Sequence, residues 1–188
     1  MTPFKITISR QLFFVKQRTF SLISFFLLDN KVSGKARAVL LSAMGAKIGK
    51  NCFLRGGLNI LETINLTLGN TVFINNNCTI DCSAPVTIGD NVCLSYHVTI
   101  MTGSHEIGPH SRRTGEHKNG AVTIGDGAWI GARAIIMPGV TIGAGSVVGA
   151  GSLITKSIPP DVVAYGVPAR VMSELDDAET SPYPEHTA

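Results

Sequence analysis

The chain is poor in aromatic residues and in charge. Of its 188 residues only 6% are Phe, Trp or Tyr and 15% are Asp, Glu, Lys or Arg, with a formal net charge of +3. No run of Lys or Arg alternates with aromatics, so the footprint of a nucleic-acid-binding protein is missing. Long apolar runs are missing as well. The longest uncharged stretch of the N-terminal region, residues 19–28, has ten residues, against the ~20 that a bilayer span requires. Lys5 and Arg10 precede that stretch, but no small-x-small cleavage pattern follows it. The four cysteines, Cys52, Cys78, Cys82 and Cys93, lack zinc-ribbon spacing. They are expected to be buried reduced thiols, in keeping with a cytoplasmic protein. Aliphatic side chains and glycine are plentiful: hydrophobic residues make up 44% of the chain and glycine occurs 20 times. That is the composition of a narrow aliphatic core with many turns.

The pattern of those aliphatics is a ruler. Ile124, Ile130, Ile136, Ile142, Val148 and Ile154 fall six residues apart, and Ala128, Ala134, Val140, Ser146 and Ser152 follow four residues after the first five. Six is neither the helical nor the strand period, so one amphipathic element does not explain it. Short strands joined by tight turns and stacked as a solenoid do. Upstream, Ile48, Leu54 and Ile60, then Leu68, Ile74 and Ile80, then Ile88, Leu94 and Ile100 keep the same step. The coil starts Ile48, Leu68, Ile88, Ile124 and Ile142 lie 20, 20, 36 and 18 apart. Three sixes make one triangular coil, which predicts about five coils in an all-β solenoid domain over residues 46–172. The interval of 36 marks an excursion loop over residues 101–121. Four of the five histidines gather there or just before it: His97, His105, His110 and His117. A polar excursion from a regular scaffold is usually functional or disordered.

Before the repeat, residues 1–45 form an apolar N-terminal segment that carries Phe13, Phe14, Phe20, Phe25 and Phe26. The expectation is helical structure packed on the solenoid end or on a neighbouring subunit, with weak membrane-surface contact at the inner face as the competing reading. Residues 35–44 have helical character, with Ser33-Gly34 as the cap and Gly45 as the stop. Residues 173–188 are acidic, contain proline and lose the six-residue step, which predicts a disordered tail.

The steps, and the block Ala128-Trp129-Ile130-Gly131-Ala132, Pro138-Gly139-Val140-Thr141-Ile142-Gly143, Gly149-Ala150-Gly151-Ser152, Thr155-Lys156-Ser157-Ile158-Pro159-Pro160 and Gly166-Val167-Pro168-Ala169-Arg170, resemble the hexapeptide-repeat acyltransferases. The likeness is strongest to the sugar O-acetyltransferase branch. It implies a left-handed parallel β-helix, acetyl-CoA as the donor, no metal, a sugar or glycan acceptor, and a homotrimer whose sites lie between subunits. Moving an acetyl group to an alcohol requires a base for the hydroxyl proton, and an imidazole, with a reference pKa of about 6.5, suits neutral pH. Periodicity does not rank His105 above His97; the resemblance places the base at His105. It places an amide partner at Asn75, with Asn77, Asp81 and Ser104 beside the acceptor. Asparagines also serve β-helix turns. The family's acidic turn residue would fall at position 82, where this chain has Cys82 and carries Asp81 one earlier. Trp129, Ala132, Ala150, Thr155, Lys156 and Arg170 are expected along the donor groove, the last two as partners for phosphates. Arg112 and Arg113 in the loop would meet a negatively charged sugar.

Three other functions share the scaffold. Antibiotic acetyltransferases differ in acceptor alone. A zinc carbonic anhydrase would use His105 and His110, spaced H-x4-H, with His97 or His117. A non-catalytic scaffold would bind no acetyl-CoA.

Overall fold

The computed structural model describes residues 31–176. The expectations for residues 1–28 and for most of the tail lie outside the described residues.

Each six-residue step becomes a two- or three-residue strand and a corner, and three steps close one coil. The first face stacks β1 (Lys47–Ile48), β4 (Leu66–Leu68), β7 (Val86–Ile88), β12 (Val122–Ile124) and β15 (Thr141–Ile142). The second stacks β2 (Phe53–Leu54), β5 (Phe73–Ile74), β8 (Cys93–Leu94), β13 (Trp129–Ile130), β16 (Val147–Val148) and β18 (Val162–Gly166), followed by β19 (Ala169–Glu174). The third stacks β3 (Asn59–Leu61), β6 (Thr79–Asp81), β9 (Thr99–Ile100), β14 (Ile135–Ile136) and β17 (Leu153–Ile154). Pairing is parallel and in register, so like residues stand over like. Ile130 lies between Leu94 and Val148, and Ile100 between Ile80 and Ile136.

Two side chains per step turn inward. The aliphatic columns are buried, and so are the small residues at Cys52, Cys78, Ala128, Ala134, Ser146 and Ser152. Buried hydroxyls on this beat find acceptors: Ser146 Oγ donates to the Pro159 carbonyl at 2.7 Å and Ser152 Oγ to that of Gly149 at 2.7 Å. The corner after the second face is turned in each coil by one left-handed residue: Gly57, Asn77, His97, Arg133 and Gly151. A narrow triangle brings the coils so close at the corners that a Cβ on Gly131 would lie 2.5 Å from Ala150 N and 2.7 Å from the Gly149 carbonyl carbon.

The solenoid has about six turns, one more than the spacing predicts. The sixth opens where Ile158 bridges Ile142 and continues as β18 beside β16. Ile158 follows Ile142 by 16 residues rather than 18, because the last step, from Ile154 to Ile158, takes four residues instead of six; the six-residue ruler therefore breaks after Ile154. β19 then folds back antiparallel on β18, pairing Val163 with Ser173 and Val162 with Glu174. Ser173 and Glu174, assigned to the tail by composition, thus belong to a strand. At the other end, helix α1 (Lys31–Ala43) packs on β1 and β2. It begins before the expected cap: Ser33 and Gly34 lie inside it, and a Cβ on Gly34 would collide with the Phe53 ring. Gly45, at φ 101°, turns the chain out of the helix as expected.

Candidate active site

The excursion is an ordered hairpin. β10 (Gly103–Ile107) and β11 (Thr114–Asn119) pair antiparallel, with Ser104 opposite Lys118 and His105 opposite His117. Nearly every residue of both arms is exposed, so both faces of the hairpin are solvated. His105 Nδ1 lies 3.2 Å from the Gly115 carbonyl oxygen. A carbonyl can only accept, so the bond needs a proton on Nδ1, and in the neutral imidazole that is the tautomer whose Nε2 has a free lone pair. The His117 ring meets His105 edge to face, with centroids 5.1 Å apart.

Beside the hairpin lies a cleft of about 540 Å³, bounded by Ser104 and His105 on one arm and Lys118 and Asn119 on the other. Its far wall is Met137, Pro138 and Gly139 with Thr155. The structure therefore brings His105, Ser104 and Thr155 together. Sequence reasoning did not single out Glu106, Lys118, Asn119 or Met137 here. Glu106 and Lys118 form an ion pair of 2.8 Å at the cleft.

The other expected residues lie elsewhere. Asn75 follows β5 at the corner after the second face, where its Oδ1 accepts from the Asn76 N–H at 2.9 Å; it does not line the His105 cleft. Asn77, at φ 61°, is one of the left-handed turn residues, and His97, at φ 59°, stands one coil above it. Trp129 points outward, 43% exposed, and its Nε1–H donates to Ser95 Oγ at 3.0 Å. Ala132 and Ala150 sit on the corner after that face, joined by the Gly151 N–H to the Ala132 carbonyl. Lys156 is exposed next to Thr155, and Arg170 pairs with Tyr165 across the β18–β19 hairpin. Arg112 and Arg113 lie at the tip of the β10–β11 hairpin, where Arg113 Nη1 donates to the Gly108 carbonyl at 3.2 Å.

Asp81 lies at the turn where the excursion leaves the coil. Its Oδ1 accepts from the Ser83 N–H at 3.0 Å and the Ser83 hydroxyl at 2.6 Å. Its Oδ2 accepts from the N–H groups of Thr102 at 3.1 Å and Gly103 at 2.7 Å. Partial burial works against the charge, but these donors outweigh it and hold the carboxyl below its ordinary range. Both oxygens are spent inside the chain. Cys52, Cys78 and Cys82 are buried free thiols, while Cys93 is half-buried. Among the described residues no group of three His, Cys, Asp or Glu side chains is arranged to hold a metal ion.

Stacked six-residue steps with a histidine-bearing hairpin standing out of them define a hexapeptide-repeat transferase. Residues 121–156 match the family described as bacterial transferase hexapeptide (six repeats). The galactoside O-acetyltransferase of Escherichia coli (strain K12) is 41% identical over 147 residues, 78% of this chain and 72% of the relative. A galactoside acetyltransferase solved with coenzyme A superposes with a TM-score of 0.80 at 35% identity, covering 91% of this chain and 85% of that one. A hexapeptide-repeat acetyltransferase of Vibrio cholerae O1 biovar eltor, solved with acetyl coenzyme A, gives a TM-score of 0.76 at 30% identity, covering 87% of each chain. The chain belongs to the hexapeptide-repeat acetyltransferases.

Proposed function

We propose that this protein transfers an acetyl group from acetyl-CoA to a hydroxyl of a sugar or polysaccharide precursor, with His105 as the general base. Membership of the family supports the class, an acetyl-CoA-dependent O-acetyltransferase. The observation that carries the assignment of the base is the His105 Nδ1–H bond to the Gly115 carbonyl, which leaves Nε2 able to accept a proton at the edge of the cleft. As the acceptor oxygen attacks the thioester carbonyl, its proton passes to Nε2. The C–S bond then breaks, and the thiolate recovers that proton from the imidazolium.

The residues present fit the donor. Exposed Lys156 and Arg170 offer cations to its phosphates, and the small Ala132 and Ala150 leave room for its arm beside Trp129. Asn75 stands at a different corner from His105, which supports a site completed by two chains. In that arrangement Asn75 and Asn77 of one protomer face the Ser104–His105 hairpin of the next in a homotrimer, while Arg112 and Arg113 at the hairpin tip select an anionic acceptor. Among the described residues no helix is long and apolar enough to cross a membrane, and we place the enzyme in the cytoplasm.

The test is thiol release from acetyl-CoA against galactosides, maltose, nucleotide sugars and chloramphenicol. Release with a sugar is expected, falling by at least about 10²-fold in His105→Ala with the oligomer unchanged by light scattering. Full-rate release in that variant, or release with the drug alone, would overturn the proposal.

A further inference from the structure

Elsewhere on the solenoid, carboxylates at the corners tie one coil to the next. Asp90 Oδ1 accepts from the Asn70 N–H at 2.7 Å, and Asp126 Oδ1 from the Asp90 N–H at 2.8 Å. Asp81 binds instead to the two residues at which the chain leaves the coil, Thr102 and Gly103. Thr102 is fully buried; its hydroxyl donates to the Asp81 carbonyl at 2.9 Å and accepts from the Ala84 N–H at 3.0 Å. Asn119, at the end of the returning arm, donates from Nδ2 to the Ser83 carbonyl at 3.3 Å. Both arms of the hairpin are thus pinned to one turn, residues 81–84. Gly103 has no room to spare, since a Cβ there would lie 3.1 Å from Asp81 Oδ2.

We infer that Asp81 is a positioning residue for the reaction: by clamping the root of the β10–β11 hairpin it holds the His105 ring against the Gly115 carbonyl and so fixes the imidazole tautomer. The inference rests on the reading of His105 as the base for its catalytic consequence, but not for its geometric one. Gly103 is two residues from His105, and a displacement of the imidazole by about an ångström is of the size that costs about 10²-fold in rate. Only a carboxylate serves both ends of the clamp. In an amide, one of the two groups would be an NH₂ facing either the Thr102 and Gly103 N–H donors or those of Ser83.

Asp81→Asn in the full chain tests this by long-range proton–nitrogen NMR of the imidazoles, with acetyl transfer to a galactoside measured alongside. The expected result is loss of the single Nδ1–H form of His105 and a fall in kcat of roughly tenfold to 10²-fold, with KM for acetyl-CoA unchanged. Asp90→Asn, which removes a corner carboxylate far from the hairpin, should lower Tm and leave the His105 tautomer alone. If Asp81→Asn does not fold, Gly103→Ala presses on the same oxygen and should move the tautomer in the same direction. An unchanged Nδ1–H signal in the folded variant overturns the inference. An altered tautomer with an unaltered rate upholds the clamp and counts instead against His105 as the base.

Discussion

Ile100 is the last inward aliphatic residue before the chain leaves the solenoid, fully buried between Ile80 and Ile136. Ile100→Ala removes three carbons, worth about 2.4 kcal/mol of transfer free energy at ~0.8 per buried methylene. The remaining cost depends on whether the site can collapse. Its neighbours sit in strands held by backbone bonds on both sides, such as Thr99 N–H to the Ala134 carbonyl at 2.9 Å and Thr79 N–H to the Val98 carbonyl at 2.9 Å. Neither can slide inward without breaking register. A retained void of roughly 60 Å³ at ~24 cal/mol per Å³ adds about 1.5 kcal/mol. The expected destabilisation is therefore about 4 kcal/mol, with Ile100→Val at about 1 kcal/mol. Urea unfolding followed through the single tryptophan, Trp129 on the next coil, measures both. A cost below about 1.5 kcal/mol for the alanine variant would show that the columns close up readily, and would refute the picture of a rigid ladder.

Other consequences can be checked on the same material. Burial pushes the Cys78 thiol up to about 11; burial, with the charges of Asp81 and Glu62, pushes Cys82 up to about 12. Because the folded state holds these protons more tightly, their contribution is complete below the unfolded value of about 8.5 and is lost as pH rises towards 11–12. Urea midpoints should fall over that window, less steeply in Cys82→Ala, and at pH 8 both thiols should resist a disulfide reagent until urea is added. Gly131→Ala should cost about 3 kcal/mol, the upper end of overpacking penalties, because every atom its Cβ would meet is backbone of the next coil; a Tm within 2 °C of the parent would contradict this.

The solenoid could be read from the sequence because its core is a column of equivalent positions: a residue such as Ile124 reports its neighbours Ile88 and Ile142 through spacing alone. The hairpin showed itself as the interval of 36. Its order did not, since pairing of His105 with His117 depends on strand register that polar residues leave unspecified. The sixth coil was hidden by the four-residue step from Ile154 to Ile158, which breaks the count of six. Asp81 is expected near the acceptor from its place beside Asn75 and Asn77, and its partners at 102 and 103 become visible only when the chain is folded. Asn75 and His105 share no cleft within one chain.

Stacked coils present open edges at both ends, and each copy of such a ladder could in principle seed the next. Here α1 lies across the first two strands and β19 turns back against the last, so growth stops at either limit. The length of the array is thus set by its two dissimilar ends rather than by the repeat. A coil gained or lost in evolution would have to enter between them, moving the hairpin one storey relative to an end while leaving both stoppers in place.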